Sequence, residues 1–364
     1  MKQIKLNLER NVSSSYDICI GHNILDRIGL IIAKNNGAHR HIVIADSTVS
    51  ALHGDSFLDI LRKMNLTADL IEFPAGEASK NMDTILSVAR QLIELGADRS
   101  SALIALGGGV TGDIVGFVAS IYMRSIPYIQ VPTTLVAQVD SSIGGKTGID
   151  LPEGKNLLGT FYQPKGVFID LQFLDTLPDY EFNNGLAEIV KYGIIDDVTL
   201  FDLLENQTED IKKRDMTLMK RIVQQSCTIK RGIVEIDEKD VGIRRILNFG
   251  HTIGHAVEAE SGYTISHGDA VSVGMIAAAR ICQKLDYLPS ADRKRIETLI
   301  RALDLLDHIP ESISTPGILS RIATDKKKKG HIVHFVLLKR IGVPFINGSV
   351  ADRIIHETIE ELRK

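Results

Sequence analysis

The chain has 364 residues, 44% hydrophobic and 24% charged, with a net charge of −4. That length suits two domains better than one, and basic residues spread along an acidic chain exclude an electrostatic nucleic-acid surface. Three cysteines, Cys19, Cys227 and Cys282, lie far apart, forming neither a disulfide framework nor a CxxC zinc site, so inert thiols in a reducing cytosol are expected.

The start, "MKQIKLNLERNVSSSYDICIG", carries charges throughout with no apolar core. No stretch reaches membrane-spanning length, so a cytoplasmic protein with no leader and no membrane partner is expected. "HIVIAD" (41–46) and "TADLIEF" (67–73) read as strands. In "MDTILSVARQLIEL" (82–95), Ile85, Val88, Leu92 and Leu95 share a helical face, and Gly96 ends it. "SALIAL" (101–106) is a buried strand that runs into "GGGVTGDIVGFVAS", a glycine turn opening a helix, and "PYIQVPTT" (127–134) is the next strand. This βαβ rhythm predicts a Rossmann-like, doubly wound parallel sheet. "VPTTLVAQVDSSIGGKTGIDLPEGKNLLGTFYQP" follows, crowding Thr133, Thr134, Asp140, Lys146, Lys155 and Asn156 among glycines. It reads as a loop wrapped around a polyanionic ligand.

From "GLAEIVKYGII" through "MKRIVQQSCTIKRGIVEI" to "DAVSVGMIAAARICQKL" helical patterns dominate, broken late by one β-like run, "HIVHFVLL" (331–338). The expected class is therefore α/β plus α: a nucleotide-binding α/β domain over 1–178 and a mostly helical domain over 179–364. With no low-complexity linker between them the halves should pack closely, and their cleft is the expected place for a site.

Gly107, Gly109 and Gly112 spell G-x-G-x-x-G between a strand and a helix, where backbone N–H groups and a helix N-terminus approach a pyrophosphate without Cβ obstruction. A packing turn accounts for the pattern as well. The motif also lacks an acidic residue about twenty positions on, and the acid able to hold a ribose is Asp46, ending an earlier strand. Three histidines stand in "LNFGHTIGHAVEAESGYTISHGDAV". His251 and His255, four apart, would share a helix face, and His267 precedes the next helix. Glu188, with Lys191 three further on, is a candidate carboxylate for a three-ligand catalytic zinc site. Spacing favours the His251–His255 pair but does not choose among the histidines.

Taken together, "GGGVTGD", "YMRSIPYIQVPTTLVAQVDSSIGGKTGID", "GKNLLGTFYQP", "GLAEIVKYG", "RRILNFGHTIGHAVE" and "SHGDAVSVGM", running in order between about residues 46 and 340, resemble the 3-dehydroquinate synthase family of sugar-phosphate cyclases. That resemblance implies an NAD- and metal-dependent, phosphate-eliminating lyase of the shikimate pathway, which leads to chorismate and the aromatic amino acids. Its substrate is a phosphorylated seven-carbon keto acid, 3-deoxy-D-arabino-heptulosonate 7-phosphate. The family oxidises the C5 hydroxyl with NAD, eliminates phosphate, reduces the ketone again and closes a carbocycle by aldol addition. The resemblance also implies a homodimer.

For zinc, with Co2+ as a substitute, the resemblance implies Glu188, His251 and His267 as ligands, leaving His255 to the substrate. It assigns Asp140, Lys146, Lys191 and His255 to catalysis. Lys146, Asn156, His255 and Lys326 or Lys327 of "DKKKKG" would hold the phosphate, with Arg124 reaching it from a neighbouring subunit, and Lys230, Arg244 and Asn248 would take the carboxylate. Arg244 and Asn248, four apart, can share a helix face, and guanidinium matches carboxylate with paired hydrogen bonds. The implied NAD contacts are Asp46, Glu77, Lys80, Gly108, Gly109, Val110, Asp113, Thr133, Thr134, Lys146, Lys155, Phe173, Thr176 and Leu177. "LPDYEFNNGLAE" departs from the family pattern in the loop before Glu188. The rivals are an inosose- or valiolone-type cyclase, a polyol dehydrogenase of the glycerol dehydrogenase type, and a non-catalytic binding protein on the same fold.

Overall fold

The computed structural model describes residues 14–35, 37–328, 333–348 and 350–363. Short apolar runs build the first half: β1 (Asp17–Gly21), β2 (Arg40–Asp46), β3 (Ala68–Phe73), β4 (Ser101–Gly107), β5 (Tyr128–Pro132), the hairpin strands β6 (Lys146–Leu151) and β7 (Gly154–Phe161), and β8 (Gly166–Asp170). Six of them form one sheet in the order β1-β8-β5-β4-β2-β3, and every pairing in it is parallel. Parallel strands covered on both faces need continuous apolar sequence, and every residue of β4 is buried. Separate apolar clusters fill the two faces.

The chain steps outward from β2 to β3 and then returns to lay β4 on the other side of β2. This reversal opens a crevice at the carboxyl ends of β2 and β4, where doubly wound sheets take ligands. Asp46 ends one strand there and the glycine turn ends the other.

Two edge-side strands, "DICIG" and "GVFID", were not read from the sequence. The stretch read as a ligand-wrapping loop is a helical turn (Ala137–Ser141) followed by the antiparallel β6–β7 hairpin. Its glycines serve close strand approach, since a Cβ on Gly159 would stand 2.2 Å from the Thr147 carbonyl oxygen. The late β-like run is β9 (Phe335–Arg340), paired with an unforeseen β10 (Val343–Asn347) across a turn at Gly342, φ +82°.

The long Glu188 helix (Asp179–Ile195) begins directly after Pro178. One apolar cluster joins Val167 and Ile169 of β8 to the cores of the later helices, so the halves share a continuous interior. Among the described residues no helix is long and apolar enough to cross a membrane.

Candidate active site

Two helices deliver histidines by their first residues. Gly250 sits at φ +81°, and a Cβ there would meet the Met275 backbone nitrogen at 2.8 Å, so only glycine launches the His251 helix (His251–Glu260) from this position. Ser266 caps the His267 helix (His267–Lys284), accepting from the Asp269 amide at 3.1 Å. The Glu188 helix packs against the His267 helix. The ligand-capable atoms of Glu188, His251 and His267 all lie within 4.8 Å of one another.

Glu188 is 1% exposed. Its Oε2 accepts from the Lys191 ammonium, whereas Oε1 has no hydrogen-bond partner and lies 3.5 Å from His251 Nε2 and 3.4 Å from His267 Nε2. His251 Nδ1 faces the Phe249 carbonyl at 3.1 Å. A carbonyl only accepts, so the hydrogen is on Nδ1 and the Nε2 lone pair is free. Burial alone would raise the Glu188 carboxyl, but Lys191, then His267 and His251, hold it well below the usual range. Burial, reinforced by Lys191, keeps His251 well below an ordinary imidazole. Burial opposes a charge on His267, but the carboxylates of Glu188 and Glu258 beside it push it up to about 9.

An orphaned buried carboxylate oxygen facing two imidazole nitrogens fits a cation, and one carboxylate with two histidines is a zinc donor set that leaves a position open. His255, the other half of the pair favoured by spacing, stands edge-on to His251 with ring centroids 5.0 Å apart. It groups instead with Glu258 and His267, and burial, aided by His267, lowers it to about 4.

Beside this cluster lies a polar platform. Asp140 accepts from the Tyr192 hydroxyl at 2.5 Å and from Lys230. Burial would raise Asp140, but Lys230 and Lys191 outweigh it and hold the carboxyl down at about 2. Arg244, 2% exposed, donates to the Glu238 carbonyl at 2.7 Å, and its Nε has no partner. Asp237 shapes the preceding turn by accepting from the amides of Val241, Gly242 and Arg244. The reading that Arg244 and Asn248 can share a helix face is overturned. Residues 243–248 form a 3₁₀ helix, whose three residues per turn put i and i+4 a third of a turn apart. Arg244 is buried and Asn248 exposed.

On the sheet side, Lys80 donates to Asn156 Oδ1 at 2.6 Å and pairs with Asp113 at 2.6 Å. Burial raises Asp113 to about 6 despite that ammonium. Lys155 pairs with Glu258 at 2.9 Å and Glu77 at 3.6 Å. Lys146 pairs with Asp240 across the cleft. At the crevice, the Thr111 hydroxyl reaches Asp46 Oδ2 at 3.4 Å. Gly108 caps the helix Gly109–Ile121, which carries Val110 in its first turn. The buried Thr133 hydroxyl is unpaired, while Thr134 accepts from the Ala137 amide. Phe173 stacks edge-on with His53, which bonds Thr176 at 2.9 Å, and the Leu177 carbonyl accepts from Arg214. Arg124 is exposed in a turn in which Met123, Arg124 and Ser125 all have positive φ. It touches none of these groups in the single chain. Lys326 and Lys327 close the helix Thr315–Lys328, and their side chains lie outside the described residues.

Tyr192, Glu258, Asp240 and His53 went unread in the sequence. Tyr192 adjoins Lys191 and Glu258 follows His255 by one helical step, but only contacts between distant segments give them a role.

The backbone closely follows solved sugar-phosphate cyclases. It is similar to 2-epi-5-epi-valiolone synthase from Streptomyces hygroscopicus with NAD+ and Zn2+ bound, at 29% identity and TM-score 0.90 over 99% of both chains. It is similar also to 2-deoxy-scyllo-inosose synthase complexed with carbaglucose-6-phosphate, NAD+ and Co2+, at 28% identity and TM-score 0.86 over 94% of this chain and 96% of that one. Residues 70–184 match the 3-dehydroquinate synthase N-terminal family model and residues 185–328 the C-terminal one. The 3-dehydroquinate synthase of Pelobacter propionicus is 42% identical over 356 residues, 98% of each chain. The chain belongs to the 3-dehydroquinate synthase family.

Proposed function

We propose that this chain converts 3-deoxy-D-arabino-heptulosonate 7-phosphate to 3-dehydroquinate and phosphate, with Glu188, His251 and His267 holding a Zn2+ and the crevice above β2 and β4 holding NAD+. The observation that carries this is the unpartnered Glu188 Oε1 between two imidazole nitrogens, beside a platform of buried cations, in a member of this family. When bound, the ion supplies a Lewis acid for the substrate's vicinal hydroxyls and the dinucleotide a reversible hydride acceptor.

The chain's own groups do the rest. Asp140, fixed by Tyr192 and Lys230, stays ionised and accepts a hydrogen bond from the reacting hydroxyl. Lys191 is held on Glu188, where its positive charge favours loss of that hydroxyl's proton. Arg244, Lys230 and Asn248 take the carboxylate. Lys146, Asn156, His255 and Lys326 or Lys327 take the phosphate, whose own oxygens accept the proton lost in its elimination. The remaining nucleotide contacts are those named above, from Asp46 to Leu177. Arg124 completes the phosphate site of a second copy, so the working species in this reading is a homodimer.

The test mixes protein, heptulosonate phosphate, NAD+ and Zn2+, following phosphate release and reduced nicotinamide together, before and after chelation. Dehydroquinate and phosphate in equal amounts, no accumulating reduced cofactor, loss on chelation and loss in Glu188→Gln are expected. Reduced cofactor without phosphate would overturn the reading in favour of a polyol dehydrogenase. Phosphate released only from sedoheptulose 7-phosphate or glucose 6-phosphate would make it a valiolone- or inosose-type cyclase.

A further inference from the structure

Glu258 takes no part in the roles assigned above. It lies seven residues after His251 in the same helix, a spacing that keeps it near the same face, and it is 6% exposed. Its two oxygens are separately engaged. Oε2 stands 3.3 Å from His267 Nδ1, and Oε1 accepts from the Lys155 ammonium at 2.9 Å. Lys155 belongs to β7, on the sheet side of the cleft, and its ammonium also lies 4.6 Å over the Tyr263 ring.

The chemistry of this contact decides which ring nitrogen keeps its hydrogen in the neutral ring that ligates a metal. A carboxylate paired with an ammonium only accepts, so the hydrogen between Glu258 and His267 belongs to Nδ1. Nε2 is the atom facing Glu188 Oε1 at 3.4 Å. A carboxylate on the far nitrogen of a ligating histidine fixes the ring's orientation and raises its basicity. For His251 the same task falls to the Phe249 carbonyl. Glu258 also stands with His255 and His267 in a second three-donor group. With one oxygen on Lys155 and the other on the His267 ring, it is suited to orient a ligand rather than to be one.

We propose that Glu258 is a positioning residue for the metal site, presenting His267 through Nε2 and tying that ligand, through Lys155, to the sheet-side hairpin. The inference rests on the reading of Glu188, His251 and His267 as ligands, and on no assumption about the substrate.

The experiment titrates metal-free wild type, Glu258→Gln and Glu258→Asp with Zn2+ against a chromophoric chelator, and records the Co2+ absorption spectrum of each. Glutamine keeps the shape, but its amide can donate to Nδ1 and so allows the hydrogen on Nε2 instead. Roughly ten- to hundredfold weaker Zn2+ binding is expected for Glu258→Gln, with an altered Co2+ spectrum and partial recovery in Glu258→Asp. Affinity within about threefold of wild type in Glu258→Gln, or Glu258→Asp as weak as Glu258→Gln, overturns the proposal. Wild type that binds neither ion fails the ligand reading itself, a separate outcome. If Glu258→Gln does not fold, Lys155→Met removes the anchor and leaves Glu258 in place, and the Zn2+ titration, run without nucleotide, does not read the other contacts of Lys155. Weaker Zn2+ binding there supports the proposal, and unchanged binding overturns it.

Discussion

At the scale of single residues, the site is governed by how buried charges are compensated. A carboxylate in the middle of a buried helix is costly unless paired, and Glu188 is satisfied on one oxygen by Lys191 and left open on the other. Arg244 follows the same logic. Its guanidinium is buried, donates from Nη1 to the Glu238 carbonyl and more weakly from both terminal nitrogens to that of Gly144, and keeps Nε unspent. Arg244→Lys removes the planar fork while retaining the charge. Steady-state kinetics should show KM for the keto acid phosphate rising roughly tenfold to a hundredfold, the worth of a charge-assisted hydrogen bond, with a smaller change in kcat. An unchanged KM would remove Arg244 from the carboxylate site. Such roles were partly legible: "GLAEIVKYG" exhibits a carboxylate and an ammonium one helical step apart. The partner of each was not, because Tyr192 meets Asp140, Glu258 meets Lys155 and Asp240 meets Lys146 only across long stretches of chain.

At the scale of elements, the two histidines meet because two helices cross at backbone distance. A Cβ on Gly274 would stand 1.9 Å from the Gly250 carbonyl oxygen, and one on Gly254 would stand 2.8 Å from that of Ala270. These glycines set the spacing that brings the starts of the His251 and His267 helices together. Gly274→Ala should therefore destabilise the fold by about 1–3 kcal/mol through overpacking and weaken Zn2+ binding as the helices part. Thermal unfolding and chelator competition would record both, and wild-type values in the two assays would exclude the close crossing. Local patterns were a good guide to strands flanked by turns and to the helix over 82–95. They failed at the β6–β7 hairpin, where glycine reports strand-to-strand proximity rather than looseness. They failed again at 243–248, where the tighter 3₁₀ turn separates two residues that an α-helix would have aligned.

At the scale of the whole molecule, one apolar cluster runs from β8 into the later helices, and two of the thiols lie within it. Cys227 donates to the Gln138 carbonyl at 3.3 Å and Cys282 accepts from the Leu338 amide at 3.2 Å. Burial pushes both up to about 12, while Cys19, half-buried, is raised also. A thiolate is the reactive form. A thiol reagent at neutral pH should modify no more than Cys19 in the native protein, slowly, and all three cysteines once it is unfolded. Rapid native labelling of Cys227 or Cys282 would contradict the closed interior.

The same scale divides what could be read early from what could not. Sequence by itself determined the βα rhythm, the glycine turn after a buried strand and the change to helices near residue 178, because apolar period and turn chemistry are local properties of a chain. The motif blocks, taken together, also carried the resemblance to the family. Tertiary structure alone decided that β4 returns to the inner side of β2 and so sets Asp46 beside the glycine turn. It also brought Glu188 to His251 and His267 with His255 turned elsewhere, an arrangement that spacing left open and only the resemblance implied. Helical spacing fixes which side chains can share a face, but which faces meet depends on how distant segments pack, and that free energy belongs to the assembled core.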